Sequence, residues 1–104
     1  MVVLDVGANV GMFSLFIKDW AKKIYAVEPS KRIFDCLKLN TKNWHNIEIF
    51  NVGFSNRKQK TFLFGKGDET PQTMLIEGEN KELIEVITIE DFFNENKISS
   101  PSKY

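Results

Sequence analysis

Asp5, Gly7, Asn9 and Gly11 stand inside an otherwise apolar run, VLDVGANVGMFSLF, at residues 3–16. A carboxylate and two glycines at that spacing suggest that the backbone turns there and meets something. An apolar strand, a glycine-containing turn and a helix start together make a nucleotide-binding corner. Glycine takes backbone angles that side chains forbid and lets a ligand approach closely. Glu28 closes a second apolar stretch, IYAV at residues 24–27. If the two stretches are neighbouring parallel strands, Asp5 and Glu28 reach the same edge of the sheet. An acid at that edge accepts hydrogen bonds from the two ribose hydroxyls of a nucleoside. Bonds to a charged acceptor contribute about 1.5–3 kcal/mol. On this reading Glu28→Gln weakens nucleoside binding and leaves the fold intact.

The loop chemistry narrows the ligand. A dinucleotide fingerprint reads G-x-G-x-x-G. Here the loop is Gly7-Ala8-Asn9-Val10-Gly11, with Asn9 in place of the second glycine. That glycine lets the backbone reach a pyrophosphate, so its absence disfavours NAD. No lysine followed by Ser or Thr comes after Gly11, which removes the P-loop reading. The pattern D-x-G-x-x-x-G suits a ligand with a positive centre and no phosphate, and S-adenosylmethionine is such a ligand.

These residues must be held by the elements around them. VVLDV, residues 2–6, reads as a short buried strand. Residues 12–22 read as a helix, with Met12, Phe13, Phe16, Ile17 and Trp20 making one wide apolar stripe. After the strand at 24–27, Pro29 and Ser30 open a second helix, with Ser30 as its N-cap. Its apolar face is Ile33, Phe34 and Leu37, and it fades near Asn40. A loop at 41–46 leads to a third strand at 47–52, IEIFNV. Strand, helix, strand, helix, strand is half of a doubly wound α/β sheet. Beyond Gly53 the pattern changes: TFLF at 61–64 and LIEVITI at 83–89 read as strands. The polar stretch between them predicts an antiparallel excursion. Residues 90–95 read as one or two helical turns.

Composition bounds the rest. A chain of 104 residues that is 42% hydrophobic suits one small domain. The net charge of zero gives no electrostatic case for nucleic acid or an anionic membrane. The single Cys36 excludes an internal disulfide, and no apolar run approaches the roughly 18 residues of a membrane span. The expected setting is soluble and cytoplasmic. No His/Cys set has metal-ligand spacing. His45, the one histidine, reads as a surface residue and Cys36 as a small core residue. Trp20 and the phenylalanines read as core. Arg57, Lys58 and Lys60 read as a solvated turn.

The stretches VLDVGANVGMFSL, YAVEPS, IFDCLKLN and NVGFSN, in this order and spacing, resemble the FkbM-type S-adenosylmethionine-dependent methyltransferases. TFLF and IEVITIEDFF look like the later part of the same pattern. The resemblance runs over about residues 2–95 and implies a partial Rossmann-like class I methyltransferase fold, a β-α-β-α-β half followed by the antiparallel excursion. It implies S-adenosylmethionine as cofactor and methyl transfer to a hydroxyl of a small-molecule or glycan acceptor. Asp5, Gly7, Ala8, Asn9 and Gly11 match the family's first cofactor-binding motif. Glu28 matches its ribose acid, and Asn51 and Gly53 fall where the third strand ends near the adenine. The family continues into a K-I-D-x-E-G-like strand that this sequence does not show. Residues 1–97 therefore read as an incomplete cofactor-binding domain, inactive alone, and 98–104 as a disordered tail. An alternative reading is a non-catalytic remnant that binds a nucleoside or serves as an interaction module. The first strand is expected to be an exposed apolar edge open to self-association.

Overall fold

The computed structural model describes residues 1–64 and 81–98. Three strands, β1 (Val2–Val6), β2 (Lys23–Val27) and β3 (Ile47–Phe50), form a parallel sheet in the order β1-β2-β3. Two helices connect them, α1 (Met12–Ile17) and α2 (Lys31–Thr41). The expected β-α-β-α-β half is present. A second sheet carries β4 (Gly53–Phe54), β5 (Gln59–Phe64) and β6 (Lys81–Ile87) in the order β4-β6-β5. β5 runs antiparallel to β6, as the excursion predicts, while β4 pairs with β6 in parallel. A final helix, α3, spans Ile89–Glu95 and is capped by the Thr88 hydroxyl, which accepts from the Asp91 N–H at 3.0 Å.

Alternation along the strands gives the parallel sheet two apolar faces. One face packs Ile24, Ala26 and Ile47 under Leu37 of α2, with Leu15 and Ile17 of α1 alongside. The other packs Val27 against Ile87 and Phe92, with Tyr25, Phe50 and Phe54 around them. Phe92 is 1% exposed and meets Phe50 and Phe54 edge-on, at centroid distances of 4.8 and 5.3 Å. α3 thus supplies a large apolar contact between the two sheets.

Several expectations are corrected. α1 stops at Ile17 rather than running to residue 22, and turns follow it. Of its apolar stripe Ile17 packs against the core, but Met12, Phe13, Phe16 and Trp20 are exposed. The helix instead buries Ser14, which is 0% exposed and donates its hydroxyl to Asp5 Oδ2 at 2.7 Å. A short polar contact sets the helix's rotation, and the large residues are left outside. Cys36 is exposed, because α2 presents Leu37 and Phe34 to the sheet and turns Cys36 away. The third strand ends at Phe50, since Asn51 leaves the ladder to bond elsewhere. Ile98 packs against the Phe92 cluster and its N–H donates to Phe93 O, so it belongs to the fold and not to a tail. The disorder expected at 99–104 and the polar stretch at 65–80 lie outside the described residues. Ser30 caps α2 as predicted, its hydroxyl accepting from the Ile33 N–H. No helix among the described residues is long and apolar enough to cross a membrane.

Candidate functional site

The corner forms because β1 and β2 end side by side. Asp5 is opposite Ala26 and Val6 opposite Val27. The N–H groups of Gly7 and Ala8 then both donate to Val27 O at 2.9 Å, so the loop begins as a continuation of the sheet edge. It must next reverse direction, and three residues do this with left-handed backbone: Gly7 at φ 70°, Asn9 at 57° and Gly11 at 98°. Asparagine is among the few non-glycine residues that tolerate this region. That is a local reason for Asn9 where a dinucleotide loop has glycine.

Glu28 is 6% exposed. Its Oε1 accepts the Asn9 N–H at 2.8 Å, and its Oε2 accepts the Ser30 N–H at 3.1 Å. One carboxylate therefore ties the turn after β1 to the turn before α2. Each oxygen retains one lone pair, enough to accept a further hydroxyl. The loop is also tethered from α2, where Asn40 Nδ2 donates to Val10 O at 2.8 Å.

The other predicted residues divide. Asp5 lies beneath the loop, held by Ser14. Ala8 is buried in the core of the helical face. Asn51 reaches the same corner, its Nδ2 donating to the backbone oxygens of Glu28 at 2.9 Å and Pro29 at 3.0 Å. Gly53 serves packing: a Cβ there would stand 3.1 Å from Pro29 Cβ and 3.2 Å from Val86 Cγ1. Gly7 is different, because a Cβ would meet nothing within 4 Å, so its backbone lies open to an approaching molecule. An open cleft of about 380 Å³ lies beyond Asn51, lined by Phe50, Phe92, Lys58 and Glu95, and no residue of the 7–11 loop borders it.

Three contributors were not singled out from the sequence. Ser14 orients Asp5, and a buried serine within an apolar run is the signal that could have found it. Asn40 holds the loop. Glu82 of β6 accepts from the Ser30 hydroxyl at 2.7 Å and the Lys31 N–H at 2.6 Å, which brings the second sheet to the start of α2. A pairing over that sequence separation leaves no local signal. Among the described residues no group of three His, Cys, Asp or Glu is placed to hold a metal ion.

Gly11 shows how far the corner depends on backbone. A Cβ at Gly11 would lie 3.0 Å from Leu37 Cδ1, and its φ already disfavours a side chain. Gly11→Ala is expected to destabilise the fold by about 1–3 kcal/mol. Urea denaturation measures it, and an unshifted midpoint would show that the loop relaxes freely.

This arrangement defines a class: the chain has the Rossmann-like α/β fold of the methyltransferases. One solved structure it resembles is methyltransferase FkbM from Methylobacillus flagellatus, with a TM-score of 0.54 and 16% identity over 86% of this chain and 22% of that one. Two curated proteins also match. AMB antimetabolite synthetase AmbE of Pseudomonas aeruginosa is 38% identical over 73 residues, which are 66% of this chain and 3% of that protein. A probable ribosomal RNA small subunit methyltransferase A of Pyrococcus furiosus is 44% identical over 48 residues, 46% of this chain and 17% of that protein. The chain thus spans less than a quarter of each of these three proteins. No protein-family profile matches it.

Proposed function

We propose that this chain is the cofactor-binding half of an S-adenosylmethionine-dependent methyltransferase. The observation that carries the reading is the Glu28 carboxylate clasping the Asn9 N–H beside the open backbone of Gly7, on a methyltransferase fold. The residues present fit such a ligand. Glu28 keeps a free lone pair on each oxygen for the two ribose hydroxyls, Gly7 lets the ligand approach, and Asp5 supplies negative charge near a cationic centre. Asn51 steadies the Glu28–Pro29 backbone on the adenine side. When bound, the cofactor supplies an electrophilic methyl group to an acceptor. The acceptor class we propose is a hydroxyl of a small natural product or glycan. The match to an antimetabolite synthetase supports a small-molecule acceptor.

The chain is expected to bind S-adenosylmethionine or S-adenosylhomocysteine more tightly than NAD. Calorimetric titration with each ligand decides it, and tighter NAD binding overturns the assignment. Turnover is a separate matter. Methyl transfer requires two reactants held in line, and the rate advantage of that positioning comes from a complete ordered site. The 104-residue chain alone is expected to bind without transferring methyl groups in an assay with labelled cofactor and a panel of alcohols and sugars. Robust turnover would show that the acceptor site is already present.

One observation favours a second reading. Glu28 already accepts two backbone N–H groups and is nearly inaccessible, which a purely structural acid would also show. On that reading the chain is a folded module that binds no nucleoside, and the same titration gives no heat with any of the three ligands.

A further inference from the structure

Glu82 lies on the inward face of β6. Side chains two apart along a strand share a face, and Glu82 shares its face with Ile84 and Val86, which are 8% and 5% exposed. Leu83 and Glu85 alternate with them and are exposed. A carboxylate at an inward position is costly unless it is hydrogen-bonded. The bonds that Glu82 makes are at the turn between β2 and α2. β6 comes close to that turn because Gly53 has no side chain: a Cβ there would crowd both Pro29 and Val86.

Ser30, 1% exposed, sits between two acids and divides its two donors between them. Its N–H donates to Glu28 Oε2 at 3.1 Å and its hydroxyl to Glu82 Oε1 at 2.7 Å. Glu82 Oε2 also accepts the Lys31 N–H at 2.6 Å, so one carboxylate grips both the cap and the first residue of α2. A serine hydroxyl has one proton. With that proton on Glu82, the hydroxyl oxygen accepts the Ile33 N–H, and the Ser30 N–H is held toward Glu28. We infer that Glu82 is a positioning residue of the nucleoside site: acting through Ser30, it holds the Glu28 carboxylate in the orientation from which its two oxygens meet the two ribose hydroxyls. This role rests on the ribose binding proposed for Glu28, and it gives the second sheet a part in holding the cofactor from outside the glycine loop.

Adenosine and 2′,3′-dideoxyadenosine differ only in the ribose hydroxyls, and NMR titration of the full chain with each is the test. The unaltered chain is expected to prefer adenosine by about tenfold or more, the difference that bonds to a charged acceptor make. Glu82→Ala is expected to reduce that preference to about threefold or less and to leave the affinity for the dideoxynucleoside little changed. A Glu82 that served stability alone would weaken both nucleosides alike. A folded Glu82→Ala chain that keeps the full preference therefore overturns the positioning role and leaves the ribose role of Glu28 standing. Equal affinity of the unaltered chain for the two nucleosides, or none for either, overturns the ribose role of Glu28 and the role of Glu82 with it. Should Glu82→Ala fail to fold, Glu82→Gln, which keeps one acceptor oxygen, carries the same comparison. An intermediate preference is then expected, and an undiminished one overturns the role of Glu82.

Discussion

Glu28→Gln is expected to lower stability by about 2–3 kcal/mol and also to weaken S-adenosylmethionine binding at least tenfold. The sequence alone suggested a loss of binding with the fold intact, and the structure changes that expectation. Both carboxylate oxygens accept backbone N–H groups, from Asn9 and from Ser30, and the side chain is almost wholly buried. Glutamine has one oxygen to offer. Its NH₂ group must face one of the two N–H donors, leaving that donor unsatisfied. An unpaired buried donor costs about 1–3 kcal/mol, and the exchange of a charged acceptor for a neutral one weakens the bond that remains. The loop and the α2 turn would lose their common anchor, so the ligand would meet a less ordered corner. Chemical denaturation and calorimetry on the same preparation separate the two effects. A variant of native stability that still binds normally would mean that the Glu28 carboxylate holds neither loop nor ribose.

Phe92→Ala is expected to cost about 3–5 kcal/mol, the largest effect of any single substitution considered. Phe92 is the most deeply buried large side chain in the cluster that joins the sheets, packed edge-on against Phe50 and Phe54 and against Val27 and Ile87. Truncation loses the transfer energy of the ring and leaves a cavity between elements that cannot close on one another, because each is fixed in its own sheet. Small domains hold about 5–15 kcal/mol in total, so the variant is expected at the margin of folding. Urea denaturation should show a much lower midpoint. Phe92→Leu, which keeps most of the volume, should recover the larger part of the loss. A loss under about 1 kcal/mol in the alanine variant would show that the two sheets do not depend on this contact.

What the sequence determined by itself was the local and periodic part of the molecule. The runs VVLDV and IYAV, the cap at Ser30 and the acids at the ends of two strands come from short-range rules of burial, capping and parallel pairing. Those rules place Asp5, the Gly7–Gly11 loop and Glu28 at one sheet edge. The side-chain bonding in that corner was not legible, because it depends on which groups meet across long sequence separations. Only the tertiary structure shows Glu28 clasping Asn9 and Ser30, Asn51 bracing the Glu28–Pro29 backbone, and Glu82 arriving from a distant strand. The clearest difference is α1. The spacing of Met12, Phe13, Phe16, Ile17 and Trp20 predicts a buried stripe, yet all of these but Ile17 face outward and Ser14 faces in. Periodicity can identify a helix with an apolar side. Which side meets the sheet is settled by the contacts available there, and in α1 a serine hydroxyl bound to a carboxylate faces the sheet in place of Met12, Phe13 and Phe16.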